Sequence, residues 1–107
     1  MEKDLQYRQD IIEAIEKIRH SVGGLSYQKF VEDIDIFDAC VRRLEIIGEA
    51  AKCVSDEFRE HYSNVPWKEI AGFRDKAIHD YASLNSKIVW ETIKNDLTIL
   101  YDALVSH

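Results

Sequence analysis

The chain has 107 residues, 46% of them apolar, with one proline, four glycines and a net charge of −6. That is the length of a single domain, here 1–107, able to bury a core without metal or disulfide staples, and the composition argues against disorder. No apolar run is long enough to span a bilayer, Met1-Glu2-Lys3-Asp4 lacks the apolar core of a signal peptide, and the acidic balance speaks against broad nonspecific nucleic-acid binding, so a cytoplasmic protein with no membrane partner is expected.

A first helix is predicted from about Lys3 to Ser21, where Ile11, Ile15, Ile18 and Val22 step by four, three and four. Gly23-Gly24 ends it. Ser26 suits the cap of a short helical turn through Phe30, and a long helix follows from about Ile34 to Phe58. Along it Phe37, Cys40, Leu44, Ile47, Ala51, Val54 and Phe58 alternate steps of three and four, the pattern of a bundle seam. Cys40 and Cys53 fall in this helix about 20 Å apart, so they cannot pair within it. Two reduced, buried thiols are expected, without the partners a zinc site needs. Asp33, Asp35 and Asp38 lack the glycine and terminal glutamate of a calcium loop and read as a charged helix start.

Val65-Pro66 marks a new start, since the residue before proline avoids the helical region and proline is tolerated at a first helical position. The helix it opens is predicted through Ile78. Asp80 to Asn85 reads as a loop, with Asn85 capping a last helix on which Trp90, Ile93, Leu97, Leu100 and Leu104 step by three and four. No alternating strand pattern is visible. The expected fold is all-α, an up-and-down bundle of four to five helices. Trp67 and Trp90 read as core or interface anchors. Gly48 and Gly72 sit inside predicted helices, where each costs about 1 kcal/mol relative to alanine. Close helix packing is the simplest compensation, and close approach to a ligand is the other.

Charge is unevenly spread. Residues 66–90 carry Lys68, Arg74, Lys76 and Lys87 against Glu69, Asp75 and Asp80, a balance of +1, which leaves −7 for the remainder. Any phosphate site should lie near this segment, with Arg42, Arg43 and Lys52 as candidates to join it. Arg74 offers a fixed cationic fork for phosphate, His79 can give or take a proton near neutral pH, and Tyr81 adds a hydroxyl open to modification. Arg74 and His79 are five residues apart, about 140° and about 7.5 Å on an ideal helix, so they do not share a face. They converge if the helix unwinds at His79, or if a second copy of the chain brings its own motif alongside. On spacing alone, an arginine and a histidine at a helix end are ordinarily solvated, with Tyr81 a half-buried loop residue and Arg42-Arg43 a solvated face. There is no glycine-rich phosphate loop, His-Glu-x-x-His pair or glycine-flanked nucleophilic serine.

The order Arg74, four residues, His79, one residue, Tyr81 resembles the signature of the HEPN superfamily (higher eukaryotes and prokaryotes nucleotide-binding), in particular its HepT-like toxins. Leu44 to Lys52, Pro66 to Gly72 and Ile88 to Thr92 resemble the same family, so the likeness runs through essentially the whole chain. It implies a helical homodimer whose two motifs face each other across a cleft and act as a metal-independent endoribonuclease with no cofactor. His79 would then be general acid/base, Arg74 would bind the phosphate and steady its charge, and the substrate's 2′-hydroxyl would be the nucleophile. Asp75 and Asp80 would be supporting neighbours. The implied partners are RNA and a minimal nucleotidyltransferase antitoxin resembling MntA, which transfers AMP to the motif tyrosine, here Tyr81. Two positions depart from the family: Asp75 stands where asparagine is frequent, and Ala82 where an aromatic is. The alternatives are a catalytically weak HEPN module that binds a nucleotide or docks a partner, and a helical dimerisation scaffold.

Overall fold

A computed structural model of the chain describes the backbone of residues 2–79 and 85–106, with side chains for all of these except 2 and 74–79. Helix α1 spans Glu2–Val22, and its predicted stripe is its buried face, with Ile11, Ile15 and Ile18 fully enclosed. Each such isoleucine contributes about 1.5–3 kcal/mol by leaving water. The helix stops at Gly23, whose φ of 45° is the left-handed conformation that glycine adopts without strain, and whose N–H donates to the Arg19 carbonyl at 2.8 Å. Ser26 then caps α2 (Tyr27–Glu32) by accepting from the Lys29 N–H, and Asp33 caps α3 (Ile34–Cys53) by accepting from the Ile36 N–H. Asp33 is thus a helix-start acid, as its position suggests.

Helix α3 spans Ile34–Cys53, five residues short of its predicted end. The apolar seam runs on through Val54 and Phe58, but the backbone breaks between them. Ser55 takes an extended conformation and its hydroxyl accepts from the Phe58 N–H at 3.1 Å, opening a separate helix α4 (Asp56–His61). Asp4 of α1 holds the break in place: its carboxylate accepts from the Ser55 N–H at 2.9 Å and the Ser55 hydroxyl at 2.7 Å. Those bonds favour the ionised form and lower the Asp4 pKa, the Ser55 backbone bond most of all. The break also corrects the expectation for the thiols. Cys40 is buried, with its pKa raised to about 11 by desolvation, whereas Cys53 at the end of α3 is exposed; both are free.

Helix α5 spans Trp67–His79, and the Pro66 carbonyl accepts its first bond, from the Ile70 N–H. Trp67 is buried and its indole N–H donates to the Tyr62 carbonyl at 3.0 Å, fixing the α4–α5 turn. Asn85 caps α6 (Ser86–Glu91) as predicted, accepting from the Lys87 and Ile88 N–H groups. The last helix is interrupted. Thr92–Asp96 form a π-helical turn before α7 (Leu97–Val105), a wider winding that the three-and-four spacing did not announce.

Helix α3 packs between α1 and α5, α7 closes on α1, and α2 lies across α3 and α6. Asp4 meeting Ser55, and Ser21 meeting Arg43, run α1 and α3 in opposite directions. Arg8 donating to the Leu104 carbonyl, and Tyr101 donating to Glu16 at 3.0 Å, do the same for α1 and α7. The result is an all-α bundle with no strand among the described residues, and no helix there is long and apolar enough to cross a membrane.

Candidate active site

Arg74, Asp75 and His79 occupy the second half of α5, while Asp80 and Tyr81 lie outside the described residues. The helix persists through His79, so the unwinding that would let one chain unite Arg74 with His79 does not occur. Arg74 follows Trp67 by seven residues and Ile70 by four, which puts its Cα on the stripe of α5 that carries those buried residues. His79 follows the half-exposed Gly72 by seven, which puts its Cα on the opposite stripe. A single α5 therefore presents the two positions on different sides.

The two interior glycines separate here. Gly48 is buried in α3, as close packing requires. Gly72 has no such neighbour among the described residues: a Cβ built on it would meet none of their atoms within 4 Å. Among the described residues the packing expected at Gly72 is absent, and none of them compensates its helical cost of about 1 kcal/mol.

Arg42 and Arg43 of α3 turn toward α1. Arg43 donates to the Ser21 hydroxyl at 2.8 Å and the Lys17 carbonyl, bracing α3 against α1. With Arg42 it lines a groove of about 590 Å³ between those helices that also holds Asp10, Glu13 and Asp38, whose carboxylates disfavour a phosphate. Lys52 stands at the α4 end, where Arg59 donates to its carbonyl. Helix α5 starts at that end and carries His79 about 18 Å away from it.

Two further features had no clear sequence signal. Asp96, on the π-helical turn, has its pKa raised by burial and then by the Glu69 carboxylate of α5. Trp90 anchors to the edge of the core while staying partly exposed: it packs on Phe30 at 5.0 Å and against the Tyr27 ring edge at 5.9 Å, and the Lys94 ammonium lies 4.6 Å over its ring. Among the described residues no group of three histidine, cysteine or acidic side chains is arranged to hold a metal ion.

Comparison with known proteins adds what side chains alone do not. The family model described as "Ribonuclease HepT-like" matches residues 11–106. The chain is 50% identical over 91 residues to a protein of Caldanaerobacter subterraneus subsp. tengcongensis named "Putative RNase TTE0752", covering 85% of this chain and 81% of that one. It is 38% identical over 94 residues to the "Probable ribonuclease HepT" of Thermococcus cleftensis, covering 88% and 86%. No solved structure matches.

Proposed function

The chain belongs to the HepT-like ribonucleases, and from that premise we propose that it is a metal-independent endoribonuclease toxin whose active centre combines Arg74 and His79 across a homodimer. The observation that carries this reading is the family match over residues 11–106, which encloses all of α5. The continuous helix supports the dimeric arrangement, because a second chain can offer His79 where the first offers Arg74. His79 takes the proton of a ribose 2′-hydroxyl. The 2′-oxygen attacks the adjacent phosphorus, the bond to the 5′-oxygen breaks, and a protonated histidine returns a proton to that leaving oxygen, giving a 2′,3′-cyclic phosphate and a 5′-hydroxyl. Arg74 steadies the charge that builds on the phosphoryl oxygens, with the planar fork that suits them. The test is cleavage of RNA by purified protein. Arg74→Ala and His79→Ala should each abolish it with helicity and melting unchanged, and EDTA should leave the wild-type rate as it was. Activity lost with EDTA and restored by a divalent ion would exclude this mechanism.

Control is assigned to a nucleotidyltransferase partner acting on Tyr81. The phenol oxygen attacks the α-phosphorus of ATP, pyrophosphate leaves, and the tyrosine carries AMP two residues from His79. The added phosphodiester is negatively charged and bulky, so it competes with substrate phosphate for Arg74. Mass spectrometry after incubation with ATP and the partner should find AMP on Tyr81, and Tyr81→Phe should keep its activity under the same treatment. Silencing of Tyr81→Phe without complex formation would overturn the assignment.

A further inference from the structure

Helix α6 begins seven residues after His79, and its start is pinned by the Asn85 cap and by the Tyr27 and Ser86 hydroxyls, 3.0 Å apart. Lys87 and Trp90 are three residues apart on α6 and share a face, and across the π-helical turn the Lys94 ammonium still reaches the Trp90 ring, so the three form one stripe about 10 Å long. Both lysines are exposed, and the Lys94 ammonium covers the Trp90 ring at 4.6 Å. Glu91 adjoins Trp90 in sequence but lies about 100° around the helix. In a chain of net charge −6, this alternation of cation, aromatic face and cation is matched to one class of ligand.

We propose that the Lys87–Trp90–Lys94 stripe is a subsite for the single-stranded RNA that flanks the scissile phosphate, a proposal that rests on the ribonuclease reading above. A base stacks on Trp90, and the two lysines take the phosphates on either side of it. Stacking on an aromatic ring tolerates any base, and compact ammonium groups neutralise a backbone without reading sequence, so the subsite adds affinity rather than base preference. The Lys94 ammonium occupies the ring face that a base needs. Binding therefore exchanges a cation–π contact for a base stack and moves the ammonium onto the neighbouring phosphate. The backbone of Trp90 is fixed by its inner contacts with Phe30 and Tyr27, so the platform exists before RNA arrives.

The probe is a 2′-O-methyl oligoribonucleotide, which lacks the nucleophile and cannot be cut, titrated into full-length protein and followed by anisotropy and tryptophan fluorescence. Trp67 is buried, with its indole N–H bonded to the Tyr62 carbonyl, so quenching reports Trp90. Quenching should accompany binding in the wild type and vanish in Trp90→Phe. Lys94→Gln and Lys87→Gln should each weaken binding about fivefold at roughly 0.1 M salt and flatten the salt dependence by about 0.7, the share of one phosphate contact on a single strand. With cleavable RNA, each should raise KM for a long strand and leave kcat unchanged, while a dinucleotide too short to reach the stripe is cut as before. Binding without quenching, or an unaltered salt dependence in both lysine variants, would overturn the subsite. Failure of the wild type to cut any RNA would instead overturn the ribonuclease reading, and the quenching and salt measurements would still decide the stripe.

Discussion

Gly72→Ala separates the stability of the helix from the use of its surface. Gly72 is the sixth residue of α5, its φ is not positive, and a Cβ there meets no atom of the described residues within 4 Å. Alanine can therefore adopt the native backbone without strain, and it narrows the unfolded ensemble. The expected gain is about 0.5–1 kcal/mol, a rise of roughly 3–6 °C in melting temperature for a domain of this size. Yet Gly72 is seven residues from His79 and on the same stripe, so a methyl group there intrudes wherever substrate or a second α5 approaches. A misplacement on the order of 1 Å at a reacting centre costs about 100-fold in rate, and cleavage should fall toward that extent while the fold gains stability. Urea melts, run where the midpoint no longer depends on protein concentration, give the first quantity, and initial cleavage rates give the second. A destabilised variant would refute the open space around Gly72. A stabilised variant with wild-type activity would refute the placing of this stripe at the working surface.

The Asp4–Ser55 contact has a pH signature. The carboxylate pKa is lowered in the folded state, so its contribution is present above the unfolded value of about 3.9 and is lost as pH falls through the lower folded value. Asp4→Asn should be less stable than wild type at neutral pH and should show a shallower loss of stability on acidification; equal slopes in urea melts from neutral to about pH 3 would count against the contact. The thiols should divide by exposure. At mildly alkaline pH a thiol reagent should titrate Cys53 quickly and Cys40 only on unfolding, because Cys40 is enclosed and its pKa stands at about 11. Two fast thiols would contradict the packing around Cys40.

The seams of this bundle were legible because apolar spacing reports directly on which face leaves water: Ile11, Ile15 and Ile18 are enclosed, and Leu97, Leu100 and Leu104 likewise. The break after Cys53 was hidden by the same signal. Val54 and Phe58 keep the apolar phase, although Ser55-Asp56-Glu57 is a cap followed by first-turn acids, and what makes the cap decisive is a carboxylate 51 residues away in sequence. The π-helical turn left no trace, since its extra width lets Leu97 and Ile93 remain on the core. At the candidate site, the order of Arg74, His79 and Tyr81 gave the family, whereas the vacancy over Gly72 is a property of space that no spacing rule contains.

The stapling of α1 to α7 sets a clock on synthesis. Arg8, Glu16 and Arg19 of α1 find Leu104 and Tyr101 only when the last helix is available, the Arg19 guanidinium resting 4.1 Å over the Tyr101 ring. Helix α1 ends at Val22 and α7 begins at Leu97, so at about 5–20 residues per second the ribosome makes them roughly 4–15 s apart. Throughout that interval the first helix lacks the neighbour that Arg8, Glu16 and Arg19 brace against. A nascent chain is thus held short of its closed bundle until α7 has been made, and a ribonuclease domain translated from a message completes itself only after the stretch that encodes this helix has been read.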